Sequence, residues 1–119
     1  MNKPILRIHD YLDHILQAIC RINRYVQGIS EESFLTDEEK QDAVIRNIEV
    51  IGEAARNLER NFQDFAEQHS DVPWSDIYLM RNRLSHGYFS VDIELVWNTV
   101  KRDIPELEKQ IKNLQKEIV

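Results

Sequence analysis

The sequence is poor in everything that marks a disulfide-stapled, turn-rich or membrane-spanning chain. One cysteine, Cys20, occurs in 119 residues, so no internal disulfide and no cysteine-rich zinc site can form. Only three glycines and three prolines are present, which favours long elements joined by short connections over a turn-rich β fold. No apolar run approaches the ~18 residues of a membrane span. Met1 to Pro4 has no apolar stretch of the kind a secretory leader carries, so a cytoplasmic chain that makes no membrane contact is expected. Basic charge is also in deficit: 15 Lys and Arg face 21 Asp and Glu, for a formal charge of −6. A deficit of that size argues against nucleic acid, whose partners usually show a basic footprint.

The acidity is unevenly spread, and its placement weakens that exclusion. Residues 31 to 42 hold Glu31, Glu32, Asp37, Glu38, Glu39 and Asp42 against Lys40 alone. Such a strip is either a solvated surface at a helix start, where carboxylates suit the macrodipole, or a docking strip for a basic partner. Residues 77 to 91, by contrast, contain Arg81, Arg83 and His86 and no acid. The net charge therefore says little about that segment.

What the chain does have is helical periodicity. Ile8, Leu12, Ile15, Ile19, Ile22 and Val26 alternate at four and three residues and predict a first helix from about Ile5 to Gln27. Cys20 lies beside this seam and is expected in the core. Gly28 is a plausible stop, and Ile29 to Leu35 reads as a short connection. Thr36 with Glu39 fits a capping box for a second helix reaching about Phe65, on the seam Val44, Ile48, Ile51, Ala55, Leu58, Phe62, Phe65. Gly52 interrupts it at a cost of about 1 kcal/mol relative to Ala, tolerated most easily where another backbone approaches closely.

The first two helices should pair antiparallel. Gln68 to Pro73 reads as a loop, and a third helix is expected over about Trp74 to Ser85, with Ile77, Met80 and Leu84 inward and Gly87 as its stop. Asp92 can cap a fourth helix, Pro105 should break or kink it, and a last helix carries Leu107, Ile111, Leu114 and Ile118. No alternation of strand period runs to useful length. The expected fold is a single all-α domain over residues 1–119, an antiparallel up-and-down bundle of four to five helices.

Chemistry concentrates in Met80-Arg81-Asn82-Arg83-Leu84-Ser85-His86-Gly87-Tyr88. At 100° per residue, Ile77, Met80 and Leu84 face the core, while Asn82 and His86 point away from it. Arg81, Ser85 and Tyr88 share a flank if the helix continues that far. Arg81 and His86 would stand about 140° apart on a regular helix, so their convergence needs a distorted helix end, a bound phosphate or a second subunit. An arginine with a histidine can cleave RNA without a metal. The imidazole serves as general acid or base near neutrality, and the guanidinium clamps the phosphate and stabilises its growing charge. The attacking group is the RNA 2′-hydroxyl, so DNA is not a substrate. Taken alone, such a pair is equally a surface ion pair or a helix-end histidine, and Tyr88 a packing residue.

Arg81, His86 and Tyr88 match the R-x4-H-x-Y motif of the HepT-like toxins, a branch of the HEPN superfamily, and Arg81-Asn82 resembles the Arg-Asn start common in that superfamily. The resemblance runs along nearly the whole chain. Tyr11-Leu12-Asp13-His14-Ile15 resembles the first family helix, Asp42 through Ala54 the second, and Pro73-Trp74 through Asp92 and Val96-Trp97 the motif helix and its sequel. The resemblance implies a toxin ribonuclease, usually a homodimer with two motifs facing a shared cleft. Arg81 and His86 would be catalytic. Tyr88 would be the hydroxyl to which an MntA-type nucleotidyltransferase antitoxin transfers AMP from ATP, blocking RNA by charge and bulk. Higher hetero-oligomers with the antitoxin are compatible with this.

Asn82 and, on the second helix, Arg46, Glu49 and Glu53 are candidate supporting residues, against the plainer reading of a charged surface. No Glu-x-x-His pair accompanies Glu49 and Glu53, so no metal site is expected, and no cofactor. Trp74 and Trp97 should pack, with base stacking the other reading. Two further functions stay open: a non-catalytic helical module that docks with a minimal nucleotidyltransferase, and a structural bundle whose polar stripe only dimerises.

Overall fold

The computed structural model describes the backbone of residues 3–86 and 90–118, with side chains for all of these except residues 3–6 and 86. Two long helices, α1 (Lys3–Val26) and α3 (Glu38–Asn61), form the central pair. Every residue of the α1 seam from Ile8 to Val26 is buried, as are Val44, Ile48, Ile51, Ala55 and Leu58 of α3. Lys40 at the start of α3 donates to the Tyr25 carbonyl near the end of α1, while Phe62, just beyond α3, packs edge-on against Tyr11. The pair is therefore antiparallel, as the periodicity requires.

The expected connection between them contains a helix of its own, α2 (Glu31–Leu35). Ser30 caps it by accepting the Ser33 N–H, and the fully buried Phe34 pins it beside Trp97, ring centroids 5.3 Å apart. This extra turn changes the cap of α3. The Thr36 hydroxyl donates back to Glu32 and Ser33 and so closes α2. Asp37, one residue later, accepts the Lys40 N–H and caps α3. The acidic strip is thereby divided between two helix starts, Glu31 and Glu32 in one, Glu38 and Glu39 in the other, where the macrodipole favours carboxylates.

α3 also ends earlier than its pattern suggests. Phe62 leaves the helical region (φ −135°, ψ 60°), and α4 (Gln63–Gln68) starts afresh. On one unbroken helix Phe62 and Phe65 would share a face. The break lets Phe62 meet Tyr11 while Phe65 lies against His69 and Trp74.

The third expected helix is two short ones, α5 (Trp74–Tyr78) and α6 (Met80–Arg83), interrupted at the exposed Leu79. Ile77, Met80 and Leu84 are buried as expected. The helix stops before Ser85, and the Leu84 carbonyl accepts the Asp92 N–H at 2.7 Å. Ser85–His86 (β1) then pairs antiparallel with Ser90–Val91 (β2), Ser85 opposite Val91 and His86 opposite Ser90. Strands this short carry no readable alternation, so periodicity could not announce them. Gly87, read as the helix stop, and Tyr88 lie outside the described residues.

Asp92 caps α7 (Ile93–Asn98) by accepting the Leu95 N–H. Pro105 does not break the chain. A π-helical turn, Thr99–Asp103, precedes α8 (Ile104–Glu117). Its i→i+5 spacing shifts the carbonyl rows and leaves the proline in the first turn of α8, where no backbone N–H is needed. α8 returns antiparallel to α1: Gln115 donates to Asp13 and the Ile118 carbonyl meets His9. Trp74 and Trp97 are packed as expected. Cys20 is not: its side chain is exposed, because it falls one residue past the buried Ile19, where the helix has rotated away from the core. The architecture is an all-α bundle, and no described helix is long and apolar enough to cross a membrane.

Candidate active site

Gly52 sets the geometry of the site. A Cβ built there would stand 3.2 Å from the Tyr78 carbonyl oxygen and 3.5 Å from that of Ile77. Its missing side chain is what lets the backbone of α5 lie against α3. That close approach brings the polar flank of α3 beside α6. Between them lies a cleft of about 410 Å³, walled by Arg46, Glu49 and Glu53 from α3, Tyr78 from α5, and Arg81 and Asn82 from α6. Five residues singled out from sequence thus meet in one hollow, although up to 36 positions separate them along the chain.

Arg81 is held at the edge of this cleft. Its Nη1 donates to Ser85 Oγ at 2.8 Å, and its Nε lies 4.0 Å from Glu49 Oε1. The side chain is about one-third exposed, so the ion pair is loose and solvent-screened. A guanidinium has five N–H groups. Among the described residues, Ser85 and Glu49 are its only side-chain partners. It is therefore aimed without being consumed. Arg83, its neighbour of like charge, is turned elsewhere and donates to the Asp76 carbonyl.

The wheel argument for Arg81 and His86 rested on an unbroken helix, and the helix ends at Arg83. The 140° separation therefore does not apply. The chain leaves α6 through Leu84 and runs extended through His86, whose partner across the ladder is Ser90. The His86 side chain and all of Tyr88 lie outside the described residues. Ser85 shares the flank expected for it and holds Arg81. Tyr78 was not anticipated as a cleft residue. It stands three residues before Arg81, the spacing that puts two helical side chains on one face, and its ring carries the Arg56 guanidinium at 5.0 Å.

A larger groove, about 780 Å³, lies on the other side of Tyr78, between the end of α3, α4 and α5. It contains no motif residue, and its charges are mixed: Arg56 and Arg60 against Glu59, Glu67 and Asp76. Among the described residues no group of three or more His, Cys, Asp or Glu side chains is placed to hold a metal ion.

A cation over an open cleft, beside an amide, a second arginine and two glutamates, has donors of the kind that bind a phosphate. The sequence profile of the family described as "Ribonuclease HepT-like" matches residues 15–114. A protein of Caldanaerobacter subterraneus subsp. tengcongensis, provisionally named an RNase, is 47% identical over 108 residues, spanning 90% of this chain and 94% of its own. A Thermococcus cleftensis protein provisionally named ribonuclease HepT is 43% identical over 107 residues, covering 90% of this chain and 94% of that protein. A Methanocaldococcus jannaschii protein, named for a gamma-glutamylcyclotransferase joined to a provisional RNase, is 43% identical over 108 residues, which are 91% of this chain but 47% of that longer one. No solved structure matches the chain at a significant level. The matched stretch takes in the whole of the Arg81 cleft, and the chain belongs to the HepT-like ribonuclease family of the HEPN superfamily.

Proposed function

We propose that this ribonuclease is the toxin of a toxin–antitoxin pair, an endoribonuclease that cuts RNA by 2′-hydroxyl attack without a metal. The observation that carries the reading is Arg81 itself, held between Ser85 and Glu49 over a cleft that also gathers Asn82 and Arg46. In the reaction a base takes the 2′-hydroxyl proton, the oxygen bonds to the adjacent phosphorus, and the P–O5′ bond breaks. The departing 5′-oxygen receives a proton. The products are a 2′,3′-cyclic phosphate and a 5′-hydroxyl. Arg81 binds the phosphate and stabilises the charge that grows on its oxygens. His86 exchanges the protons. Asn82, Arg46, Glu49 and Glu53 shape and tune the cleft, with Glu49 setting the aim of Arg81. Two copies place their motifs in a shared cleft.

Tyr88, two residues from His86, is the acceptor for AMP from a partner nucleotidyltransferase, whose transferred phosphate would compete for Arg81 and obstruct RNA. The partner binds this homodimer in a larger hetero-oligomer. RNA incubated with the protein in EDTA should be cut, and cutting should disappear in His86→Ala. Intact RNA with both proteins at high concentration would instead support a non-catalytic docking module. After co-expression with an MntA-type nucleotidyltransferase, mass spectrometry should find the added AMP on the peptide carrying Tyr88. An unmodified Tyr88 would remove the regulatory part of the proposal.

A further inference from the structure

The Arg81 cleft is not closed on the α3 side. Arg46 and Glu53 form its rim, and the same two residues line a second, smaller groove of about 180 Å³ on the opposite side of the helix. That groove lies between α3 and α1. Tyr11 and His14 come from α1, and Asn57 joins Arg46 and Glu53 from α3. The two hollows therefore share Arg46 and Glu53, which stand between them on the outer face of α3.

Two of the other cations of α3 are engaged elsewhere. Lys40 is tied to the Tyr25 carbonyl and Arg56 rests on the Tyr78 ring. Arg46 and His14 are exposed and have no hydrogen bond, ion pair or ring contact among the described residues. Tyr11, by contrast, is half-buried and steadied edge-on by Phe62, with ring centroids 6.2 Å apart. A fixed aromatic wall, an imidazole and an unengaged guanidinium are the groups that recognise single-stranded RNA: a surface for a base, donors for a phosphate.

We infer that RNA does not end in the Arg81 cleft but crosses α3 at Arg46, so that a nucleotide flanking the scissile phosphate lies in the Tyr11–His14 groove. Arg46 contacts the phosphate at the crossing. His14 is a positioning residue that hydrogen-bonds the flanking nucleotide, and Tyr11 supplies the wall. This inference rests on the ribonuclease reading of the Arg81 cleft and adds a subsite to it.

The test is binding rather than cleavage, so that it does not depend on His86. Fluorescence anisotropy would follow the full chain with fully 2′-O-methylated RNA, which 2′-hydroxyl attack cannot cut, as random-sequence hexamers and as dinucleotides. Arg46→Ala and His14→Ala should each weaken hexamer binding about three- to tenfold, the scale of one net hydrogen bond, and His14→Ala, which lies outside the Arg81 cleft, should leave dinucleotide binding nearly unchanged. Arg46→Ala should also reduce the slope of log K against log salt by about 0.7, the value for one single-strand phosphate contact. Both side chains are exposed, so thermal melting of the variants should match the parent.

If Arg81→Ala weakens hexamer binding and the other two variants do not, RNA ends in the cleft: the inference is overturned and the ribonuclease reading stands. Equal losses on dinucleotide and hexamer in His14→Ala likewise overturn it, since the groove would then belong to the primary site. If Arg81→Ala changes nothing, or the parent binds no RNA, the cleft reading fails and the inference falls with it.

Discussion

Arg81 shows how a single side chain can be positioned without being tied down. A 2.8 Å hydrogen bond to Ser85 sets its direction, and the 4.0 Å approach to Glu49 adds a weak opposite charge. The first restrains; the second, exposed and long, contributes little stability. Glu49→Gln should therefore shift unfolding free energy by less than about 0.5 kcal/mol, as denaturant titration would measure, while altering cleavage through the aim of Arg81. Arg81→Lys keeps the charge but loses the planar fork that engages two phosphate oxygens. Its cleavage rate should fall roughly 100-fold or more, the scale of removing one aligned transition-state donor, with an unchanged melting temperature. A lysine variant of near-parental rate would show that charge alone suffices there.

Residue identity was legible in the sequence at this scale, and residue environment less so. The segment from Arg81 to Tyr88 was singled out by its chemistry and by resemblance. The spacing put Ser85 on the flank of Arg81, and the structure adds the hydrogen bond between them. Cys20 was misplaced: one residue beyond Ile19 the helix has turned about 100°, which carries the side chain out of the core. Tyr78 escaped notice because its aromatic ring reads as packing until the cleft beside it is seen.

Among the elements, Gly52 is the position on which the site depends. Alanine there would gain up to about 1 kcal/mol of helix propensity. Its Cβ would meet a backbone oxygen at 3.2 Å, and a carbonyl within a packed helix cannot swing aside as a flexible side chain can. Gly52→Ala should be net destabilising by roughly 1 kcal/mol and Gly52→Val by more than about 2 kcal/mol, read from urea midpoints at constant m-value. Greater stability in the alanine variant would mean that α5 moves freely against α3.

The helix caps give a second test. Asp37→Ala should cost about 1 kcal/mol, as should Asp92→Ala. Thr36→Ala should cost less, because the Thr36 hydroxyl serves the end of α2 and not the start of α3. The four-and-three spacing located α1 to within a residue or two and carried α3 about four residues too far, to Phe65 instead of Asn61. It could not foresee the short pieces. α2, the break at Phe62, the interruption at Leu79 and the π turn before Pro105 are all responses to tertiary packing or backbone chemistry, over lengths shorter than two periods.

For the molecule as a whole, the opening objection was charge. A chain of net charge −6 attracts RNA poorly at long range. The fold offsets this only in part: four acids are drawn into the first turns of α2 and α3, while the cleft sets Arg46 and Arg81 beside Glu49 and Glu53. Binding should then be local and salt-sensitive, and cleavage at limiting RNA should decline as salt rises, with a log–log slope no steeper than a few phosphate contacts produce. A steep slope would point instead to a long basic surface formed only on assembly.

Of all these measurements, the most direct uses an RNA with a single 2′-deoxynucleotide at a mapped cleavage position, incubated with the protein in EDTA. The account predicts that cutting stops at that position alone, continues at unmodified positions, and leaves 2′,3′-cyclic phosphate ends there. Continued cutting at the deoxynucleotide, or 3′-hydroxyl ends, would contradict 2′-hydroxyl attack and with it the roles assigned to Arg81 and His86.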